Sequence, residues 1–508
     1  TRLGPWPEHG ALAGVSSFGF GGTNAHVVLE RVRPRADAAG SEPVSDAPVL
    51  LPLSGHRPEV CTQLASALLD RLRATEGSPA AVAAALALRR SHQRHRASVV
   101  ARDREQALRG LERLVQGQAD PSIAAGHGSR EGRLPLVLVC SGQGSQWCGM
   151  ARGLLEGWPA FRASIERIDR CLSEHVPWSV VDELRADPSA SRLFRTEVAQ
   201  PVVFAVQVAL AELLAGLGVV PDAVVGHSVG EIAAAHLAGV LSLADAARLV
   251  AHRGRVMQAT AGLGRMALVG LPADEVAERI ATHGGALEIA AFNGPAETVV
   301  SGDEAAIVAL AASLTPQGVH CRVLEHTHPF HGAPMDPCQE QLRRAVEGIE
   351  ARAGAGPRLV STVTGDALPP ERFDAAYWGR QLRAPVRFMQ AIEHLAAAGH
   401  RCFVELGPHP TLRQAIEATL APRGGGYVVA STLVRGDDGR AALLRTVGSL
   451  YVAGYDVEWS GMWPDGAVHV ELPRSPLRRR EHWIESAPSR ARGGHERGAV
   501  HPLLGEGL

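Results

Sequence analysis

Short apolar runs alternate with longer segments in which apolar residues recur every three or four positions between residues 49 and 133. A continuous apolar run of a few residues is typical of a buried strand, whereas the wider spacing indicates an amphipathic helix. The pattern therefore predicts a small α/β module that ends in a loop over 117–133. Its predicted elements are strand 49–54, helix 58–73, helix 79–88, strand 95–100 and helix 104–116.

A larger α/β domain is predicted to begin at the apolar run 134–140. The run ends in a glycine-rich turn at 141–146, and the carboxyl end of a strand is where α/β proteins place their chemistry. Strand and helix signals resume after Pro337 and continue to Leu420. One further helix is predicted over 439–452.

The pattern changes between Met266 and His331, where strands and helices follow one another in the order βαββαβ. That order is typical of the ferredoxin-like fold. Because α/β signals resume on its far side, the segment is predicted to be an insertion into the larger domain. Its predicted elements are 266–270, 273–283, 287–292, 298–301, 304–314 and 321–325.

The composition is that of a globular protein and gives no sign of a nucleic-acid or membrane partner. Apolar residues make up 45% of the 508 residues and charged residues 20%, and this length suggests roughly three domains. The formal charge of −2 provides no basic field for nucleic acid or an anionic membrane. The most apolar stretch, 201–220, contains Gln207 and Glu212, so it is predicted to be a buried core helix.

All 51 strong cations are arginines, because the sequence contains no lysine. Its absence excludes Schiff-base and pyridoxal phosphate chemistry, a biotinyl or lipoyl carrier, and a P-loop. The seven cysteines are scattered and form no CxxC pair. That pattern argues against a zinc site or a disulfide framework and favours a reducing, cytoplasmic compartment.

The ends of the chain suggest a segment of a longer protein. The chain starts at Thr1 with a glycine-rich stretch that lacks the basic start and apolar core of a signal peptide. Linker composition follows at 31–47 and again at 487–500. The residues 501–508 look like the start of a further segment.

The strongest chemical signal is a GxSxG sequence centred on Ser228. An apolar strand pattern leads into it and an alanine-rich helix pattern follows, so the two glycines permit a tight turn that exposes the serine hydroxyl. Free N–H groups at the start of such a helix can stabilise an oxyanion. Ser228 is therefore predicted to be a nucleophile, with an ordinary glycine-serine turn as the alternative.

A serine nucleophile needs a base, and the segment 325–332 places three histidines where the inserted segment returns to the main domain. A metal site is the rival interpretation, but the cluster has no nearby cysteine and only Glu325 as an acidic ligand. We expect solvated or packing roles for His326 and His328. His331 is the candidate general base.

Arg253 is the candidate substrate-binding cation. A capping box at 242–245 predicts a helix over 243–257 that packs beside the elbow helix. An arginine near the end of that helix can point back into the cleft, where its planar fork suits a carboxylate. From the spacing alone, a solvated surface arginine is the alternative.

Five motifs resemble, in order, those of the acyltransferase domain of modular type I polyketide synthases and its malonyl-CoA:acyl carrier protein transacylase relatives. The number and order of the motifs make the resemblance specific. The motifs are GQGSQ at 142–146, GHSVGE at 226–231, RGRVMQ at 253–258, HPFH at 328–331 and FVELGPHP at 403–410.

The resemblance implies an α/β-hydrolase-like acyltransferase core that carries the inserted ferredoxin-like subdomain. It implies a ping-pong reaction in which Ser228 takes a malonyl-type group from coenzyme A and passes it to the phosphopantetheine thiol of an acyl carrier protein. No permanently bound cofactor or metal is implied. His331 is then the base, Arg253 holds the carboxylate of the extender unit, and the backbone N–H groups of Gln143 and Val229 form the oxyanion hole.

Four further residues are placed at the site by the resemblance. In this family a backbone carbonyl, and not an acidic residue, orients the catalytic histidine, and Gln381 matches that position. His227, His328 and Phe330 are expected to bind the substrate.

The selected extender unit is expected from the same motifs to be malonyl. The HPFH sequence is closer to the HAFH of malonyl-selecting domains than to the YASH of methylmalonyl-selecting ones, and Val229 replaces the glutamine usual in the latter. Phe330 is bulkier than serine and can fill the space of a C2 methyl. Pro329 departs from the pattern, and one methyl is worth only ~1–3 kcal/mol, so methylmalonyl selection stays open.

The resemblance also divides the chain into parts and implies partners from the same synthase, namely the ketosynthase, dehydratase and other domains beside the acyl carrier protein. His26 lies in a segment that looks like the end of a ketosynthase and matches one of its catalytic histidines. The parts are 1–31, ketosynthase end; 32–133, ketosynthase-to-acyltransferase linker domain; 134–425, acyltransferase, with the ferredoxin-like subdomain at about 265–330; 426–486, post-acyltransferase linker; and 487–508, linker and dehydratase start.

Two other functions share some of these features. A serine hydrolase or thioesterase has the same elbow, but it has no need of a fixed carboxylate clamp. A non-catalytic docking scaffold between synthase domains requires the serine and histidine to be idle.

Overall fold

The computed structural model describes residues 12–19, 21–30, 47–75, 78–128, 132–325, 328–463 and 470–476. The chain forms two compact units, one of residues 1–41 with 475–508 and the other of residues 42–474. In the first unit, β1 (Leu12–Phe18) and β2 (Asn24–Glu30) pair as an antiparallel hairpin. The linker and dehydratase start predicted over 487–508 lie outside the described residues.

The second unit begins with the predicted small module, a three-stranded antiparallel sheet covered by helices. Its elements are β3 (Val49–Gly55), α1 (Pro58–Ala74), α2 (Pro79–Leu88), β4 (His95–Ala101), α3 (Arg104–Val115) and β5 (Ile123–His127). The sheet order is β3-β4-β5. The prediction of a loop over 117–133 is wrong at β5, which pairs with β4. Because β5 has one β-branched residue, its sequence gives little strand signal, and the strand depends on its neighbour.

The acyltransferase-like core starts with a strand, a bundle of helices and a second strand. Its first elements are β6 (Leu136–Cys140), α4 (Arg152–Gly157), α5 (Pro159–Leu172), α6 (Val180–Arg185), α7 (Thr196–Gly216), β7 (Ala223–Gly226), α8 (Gly230–Leu237) and α9 (Leu243–Gln258). The predicted capping box of α9 is confirmed, since the Ser242 side chain accepts from the N–H of Asp245. Helix α9 therefore starts where the sequence predicts.

The inserted segment forms a separate four-stranded sheet with two helices. Its elements are β8 (Arg265–Val269), α10 (Ala273–Ala281), β9 (Leu287–Gly294), β10 (Glu297–Gly302), α11 (Glu304–Leu314) and β11 (Cys321–Val323). The sheet is antiparallel with the order β11-β8-β10-β9. In order of appearance this is 4-1-3-2, so the predicted ferredoxin-like topology is confirmed.

The chain then returns to the core and completes its sheet. The remaining elements are α12 (Asp336–Ala345), β12 (Arg358–Val360), α13 (Ala375–Arg383), α14 (Phe388–Ala397), β13 (Cys402–Leu406), α15 (Arg413–Leu420), β14 (Val428–Ser431) and α16 (Gly439–Val452). Short 3₁₀ turns lie at Thr315–Gln317, Ala333–Met335, Pro370–Arg372, Ala421–Arg423 and Trp459–Gly461.

The core sheet has five parallel strands in the order β12-β7-β6-β13-β14. Its central strands are buried on both faces, as expected for a parallel sheet covered by helices. The predicted boundary at residue 425 falls before β14, although β14 pairs with β13 and is part of this sheet. The core sheet therefore extends beyond the predicted domain end.

Helix α7 is the most apolar long helix and fills the centre of the core. By length and composition it is the one helix of the described residues that could cross a membrane, but 89% of its apolar window is buried inside the fold. The prediction of a buried core helix over 201–220 is confirmed, with a start at Thr196. The start matters for the site, because Thr196 and Gln200 at the beginning of α7 form hydrogen bonds with Gln143 and Arg253.

Helix α16 connects the core to the small module, since it packs on β4 and β5. Arg96 on β4 is buried and donates to the carbonyls of Tyr451 and Tyr455, at 3.0 and 2.7 Å. A buried guanidinium that satisfies carbonyls in this way ties the two segments together. Helix α16 and the small module are therefore packed together.

Candidate active site

Ser228 sits on a strained turn between β7 and α8. Its φ is +53°, in the left-handed region that non-glycine residues rarely adopt. A Cβ at Gly226 would lie 2.2 Å from the Glu231 nitrogen, and one at Gly230 would lie 2.2 Å from the Cys140 carbonyl oxygen. Both glycines of GxSxG are therefore required by close backbone approach, and the predicted nucleophile elbow is present.

Ser228 and His331 form a hydrogen-bonded pair. The serine Oγ lies 2.8 Å from His331 Nε2, and His331 Nδ1 lies 2.8 Å from the carbonyl oxygen of Ala384. A carbonyl only accepts, so Nδ1 carries the proton and Nε2 accepts from the serine. Burial, and then the charge of Arg253, lowers the pKa of His331 to about 3. The imidazole is therefore neutral and ready to act as a base.

The assignment of the histidine-orienting carbonyl to Gln381 is wrong by three residues. Gln381 lies inside α13, where its carbonyl points along the helix, whereas Ala384 is the extended residue that follows the helix and turns its carbonyl out. The Gln381 side chain instead donates to the Ser228 carbonyl at 2.7 Å. Its Oε1 accepts from Nε of Arg253 at 3.3 Å. Gln381 thus belongs to the site, but it orients the elbow and the arginine.

Arg253 is fully buried and points at the nucleophile. Its Nη2 donates to Ser228 Oγ at 3.1 Å and its Nη1 to Oε1 of Gln200 at 2.9 Å. Burial lowers the pKa of this guanidinium to about 9, and the charge of Glu231 opposes the shift. The alternative of a solvated surface arginine is therefore excluded, and the prediction that α9 aims an arginine into the cleft is confirmed.

Glu231 is a buried carboxylate that the sequence analysis did not assign. It accepts from the N–H and hydroxyl of Thr362, at 3.1 and 2.9 Å, from the Tyr377 hydroxyl, and from the Gln381 amide at 3.3 Å. Burial raises its pKa, and these donors oppose the rise. Its signal was present as the acidic residue that ends GHSVGE. Among the described residues Arg253 forms no direct ion pair, and Glu231 is the carboxylate whose charge acts on it.

The predicted oxyanion donors lie on two loops in contact. Gln143 follows β6, and Val229 is the residue that precedes α8. A Cβ on Gly142 would come within 3.0 Å of the His227 ring, which shows how closely the loops approach. Within the described part of the chain, neither backbone N–H donates to a protein acceptor. Both donors are thus available to a ligand, and their role stays a prediction.

His227 connects the core to the inserted subdomain. Its Nε2 lies 2.9 Å from Oδ1 of Asn293 on β9, and the Asn293 amide donates to Glu297 at 3.0 Å. The histidine next to the nucleophile is therefore anchored across the boundary between the two subdomains. Its predicted contact with substrate stays a prediction.

His328 and Phe330 pack against each other in the segment that leads to His331. Their rings stack with centroids 4.8 Å apart and an angle of 13° between the planes. Both are buried, at 5% and 8% exposure, so the solvated alternative for His328 is wrong and its side chain packs in the interior. The predicted contacts of His328 and Phe330 with substrate stay a prediction. His326 lies outside the described residues. The described residues contain no group of three or more candidate metal ligands.

An α/β core with a ferredoxin-like insertion, whose elbow serine is paired with a histidine, defines an acyltransferase of the serine-histidine type. Comparison with known proteins agrees, and the chain belongs to the acyl transferase domain family. The family model "Acyl transferase domain" matches residues 137–457. A second model, "Ketoacyl-synthetase C-terminal extension", matches residues 1–100.

Curated relatives of the chain are polyketide synthases. It is 42% identical over 492 residues to the spectinabilin polyketide synthase system protein NorA' of Streptomyces orinoci, covering 96% of this chain and 13% of that protein. It is 38% identical over 488 residues to the erythronolide synthase EryA2 of Saccharopolyspora erythraea, covering 95% of this chain and 14% of that protein. The chain therefore spans about a seventh of the length of these relatives.

Solved structures confirm the fold. The acyltransferase domain from module 8 of the salinomycin polyketide synthase superposes with a TM-score of 0.76 at 37% identity, covering 82% of this chain and 98% of that one. A loading acyltransferase from the avermectin modular polyketide synthase gives 0.60 at 39% identity, covering 62% and 99%. The prediction of a polyketide synthase acyltransferase fold is confirmed.

Proposed function

We propose that this domain transfers a malonyl-type extender unit from coenzyme A to the phosphopantetheine thiol of an acyl carrier protein. The observation that carries the proposal is that Ser228 Oγ lies within hydrogen-bond distance of both His331 Nε2 and Arg253 Nη2. His331 is the base that activates the nucleophile, and Arg253 is the cation that binds the substrate carboxylate beside it.

The first half-reaction forms an acyl-serine. His331 Nε2 takes the hydroxyl proton while Ser228 Oγ attacks the thioester carbonyl, and the resulting oxyanion accepts from the N–H groups of Gln143 and Val229. The carbon–sulfur bond breaks, and the leaving thiolate of coenzyme A takes the proton from His331. The second half-reaction is the same sequence in reverse with the phosphopantetheine thiol as nucleophile.

The buried guanidinium supports transfer of a substrate that carries a free carboxylate. A fork of N–H donors binds a carboxylate in two-pronged geometry, and burial strengthens such a charged hydrogen bond. A hydrolase or thioesterase that shares the elbow has no use for a fixed carboxylate clamp beside its nucleophile. A docking scaffold has no use for a neutral histidine in contact with a strained serine.

Phe330 and Val229 support malonyl as the extender unit. Val229 stands where methylmalonyl-selecting domains usually carry glutamine. Phe330 is buried, directly precedes His331 in the sequence and is stacked on His328. We propose that its ring forms an apolar wall of the acyl pocket. A wall of this kind disfavours a C2 substituent, although one methyl group is worth only ~1–3 kcal/mol. Methylmalonyl is therefore the second candidate extender unit.

The chemistry and the relatives support two kinds of partner. An acyl carrier protein accepts the acyl group, and the ketosynthase, dehydratase and other domains of a synthase are neighbours on the same chain. A coenzyme A thioester substrate supports the cytoplasm as the compartment of the reaction.

Intact-mass measurement after mixing with malonyl-CoA tests the proposal. The domain is expected to gain the mass of one malonyl ester, to keep it for longer than a mixing time, and to lose it when a phosphopantetheinylated carrier protein is added. Ser228→Ala, with an unchanged melting temperature, is expected to gain no mass. Free malonate released without a detectable adduct would show a hydrolase instead.

A further inference from the structure

A continuous series of hydrogen bonds begins at Arg253 and connects side chains of the site. Arg253 Nη1 donates to Oε1 of Gln200 at 2.9 Å, and Nε2 of Gln200 donates to Oε1 of Gln143 at 3.1 Å. Nε2 of Gln143 in turn donates to the Thr196 hydroxyl at 3.1 Å. The carboxylate clamp, the oxyanion loop and the first turn of α7 are therefore connected by side chains with fixed amide orientations.

The series of hydrogen bonds continues from Thr196 to His328, in the segment that carries the catalytic histidine. Thr196 Oγ1 lies 3.2 Å from Nε2 of His328, and on the far side of the ring Nδ1 lies 3.4 Å from Oγ1 of Thr260. Thr260 already donates its hydrogen to the carbonyl of Met257 at 2.8 Å. Thr260 must therefore accept from Nδ1–H, which leaves Nε2 to accept from Thr196.

Two threonine hydroxyls thus hold the His328 ring from opposite sides. Thr196 and Thr260 are both buried, at 0% and 3% exposure. The ring of Phe330 lies flat on His328, with an angle of 13° between the planes. Because stacked rings in a packed interior move together, the position of Phe330 depends on the two hydroxyls that fix its neighbour.

We propose that Thr196 and Thr260 are positioning residues for extender-unit selectivity, which act by holding His328 flat against the Phe330 wall. The proposal rests on the proposed function, because Phe330 limits the substituent at C2 only when the acyl group is bound at Ser228. Thr196 has a second connection that Thr260 lacks, since it also accepts from the Gln143 side chain beside the oxyanion hole.

The isosteric pair Thr196→Val and Thr196→Ser tests the role of the hydroxyl. Valine keeps the shape and removes the hydrogen bond, whereas serine keeps the hydrogen bond. We expect Thr196→Val to lower the ratio of kcat/KM for malonyl-CoA to that for methylmalonyl-CoA about tenfold, because a displaced wall loses much of its discrimination against one methyl group. Thr196→Ser is expected to keep the wild-type ratio.

Thr260→Val provides an independent second measurement that does not involve Gln143. It is expected to lower the same ratio, and it tests the proposal even where Thr196→Val fails to fold. A merely structural role would reduce transfer of both substrates equally and leave the ratio unchanged. A wild-type adduct with an unchanged ratio in the folded valine variants would overturn this proposal alone. If the wild-type domain forms no adduct with either thioester, the proposed function and this proposal both fail.

Discussion

Arg253 is the residue whose surroundings say most about the substrate. It is fully buried and, among the described residues, has no carboxylate in direct contact; Glu231 acts on it across the Gln381 amide. A buried cation is costly unless its charge is balanced, so a site of this kind favours an anionic ligand. The sequence identified the arginine, but its burial could be learned only from the structure.

Arg253→Ala is expected to lower kcat/KM for malonyl-CoA at least about thirtyfold, because truncating one partner of a buried charged hydrogen bond is costly. The ratio of kcat/KM for acetyl-CoA to that for malonyl-CoA should rise in this variant, because acetyl-CoA has no carboxylate. The matched control is Arg255→Ala, on the same helix, whose guanidinium donates to the His175 carbonyl away from the nucleophile. Acyl loading of Ser228 by each thioester measures both variants, and an unchanged preference for malonyl in Arg253→Ala would refute the clamp.

Glu231→Gln is expected to destabilise the domain by about 1–3 kcal/mol, because it removes a charged acceptor of several buried hydrogen bonds and the negative charge that acts on Arg253 through Gln381. A malonyl ester on Ser228 then supplies a substitute carboxylate. Its formation should therefore raise the melting temperature more in this variant than in wild type. Tyr377→Phe removes a hydrogen bond to Glu231 without removing charge and is the control. Equal melting temperatures for Glu231→Gln and wild type would mean that Glu231 is protonated and carries no charge.

The pH dependence of acylation follows from the neutral state of His331. Because its pKa is lowered from 6.5 to about 3, the folded enzyme keeps its base as the pH falls, and the acylation rate is expected to be constant from about pH 8 to 5. The unfolded chain takes up that proton below 6.5, so the same group makes the fold less stable as the pH falls from there towards 3. A rate that halves near pH 6.5, in quenched-flow mass measurements, would contradict this assignment.

At the scale of elements, periodicity and capping patterns predict the bounds of helices and strands correctly where those bounds depend on neighbouring residues in the sequence. Short sequence patterns predict the six elements of the ferredoxin-like insertion, the capping of α9 by Ser242 and the bounds of α16. The misses depend on partners distant in sequence. Strand β5 forms because β4 offers an edge, and the edge strand β14 lies beyond the predicted domain end at residue 425 for the same reason. The Ala384 carbonyl reaches His331 because α13 ends at Arg383, and no sequence motif specifies that geometry.

The elbow makes a prediction at this scale. Gly230→Ala would place a Cβ 2.2 Å from the Cys140 carbonyl oxygen, so the strand and the helix would have to separate and acylation of Ser228 should be lost. The matched control is Gly153→Ala in α4, where a Cβ has no neighbour within 4 Å. Alanine there is expected to stabilise the helix by roughly 0.5–1 kcal/mol. Urea unfolding and mass measurement of the adduct check both variants, and a fully active Gly230→Ala would disprove the close-approach argument.

At the scale of the whole molecule, the site lies between the core, which has the parallel sheet, and the ferredoxin-like insertion, which has the antiparallel sheet. The core supplies Ser228 and Arg253, while His331 lies where the chain returns from the insertion, and His227 bonds to Asn293 across the boundary. The sequence indicated this arrangement through the order of its motifs. All strong cations of the chain are arginines, and one of them, Arg253, is buried and faces the nucleophile. The net charge of −2 provides no general attraction for anions, so this single guanidinium is the group that recognises the substrate carboxylate.

The most direct test of the central claim is a competition among malonyl-, methylmalonyl- and acetyl-CoA at equal concentration, with the mass of the adduct on Ser228 as the readout. The account predicts a malonyl ester as the main species, methylmalonyl as a minor one and almost no acetyl ester. Preferential acetyl loading, or equal loading by all three, would contradict the claim that Arg253 and the Phe330 wall select the acyl group.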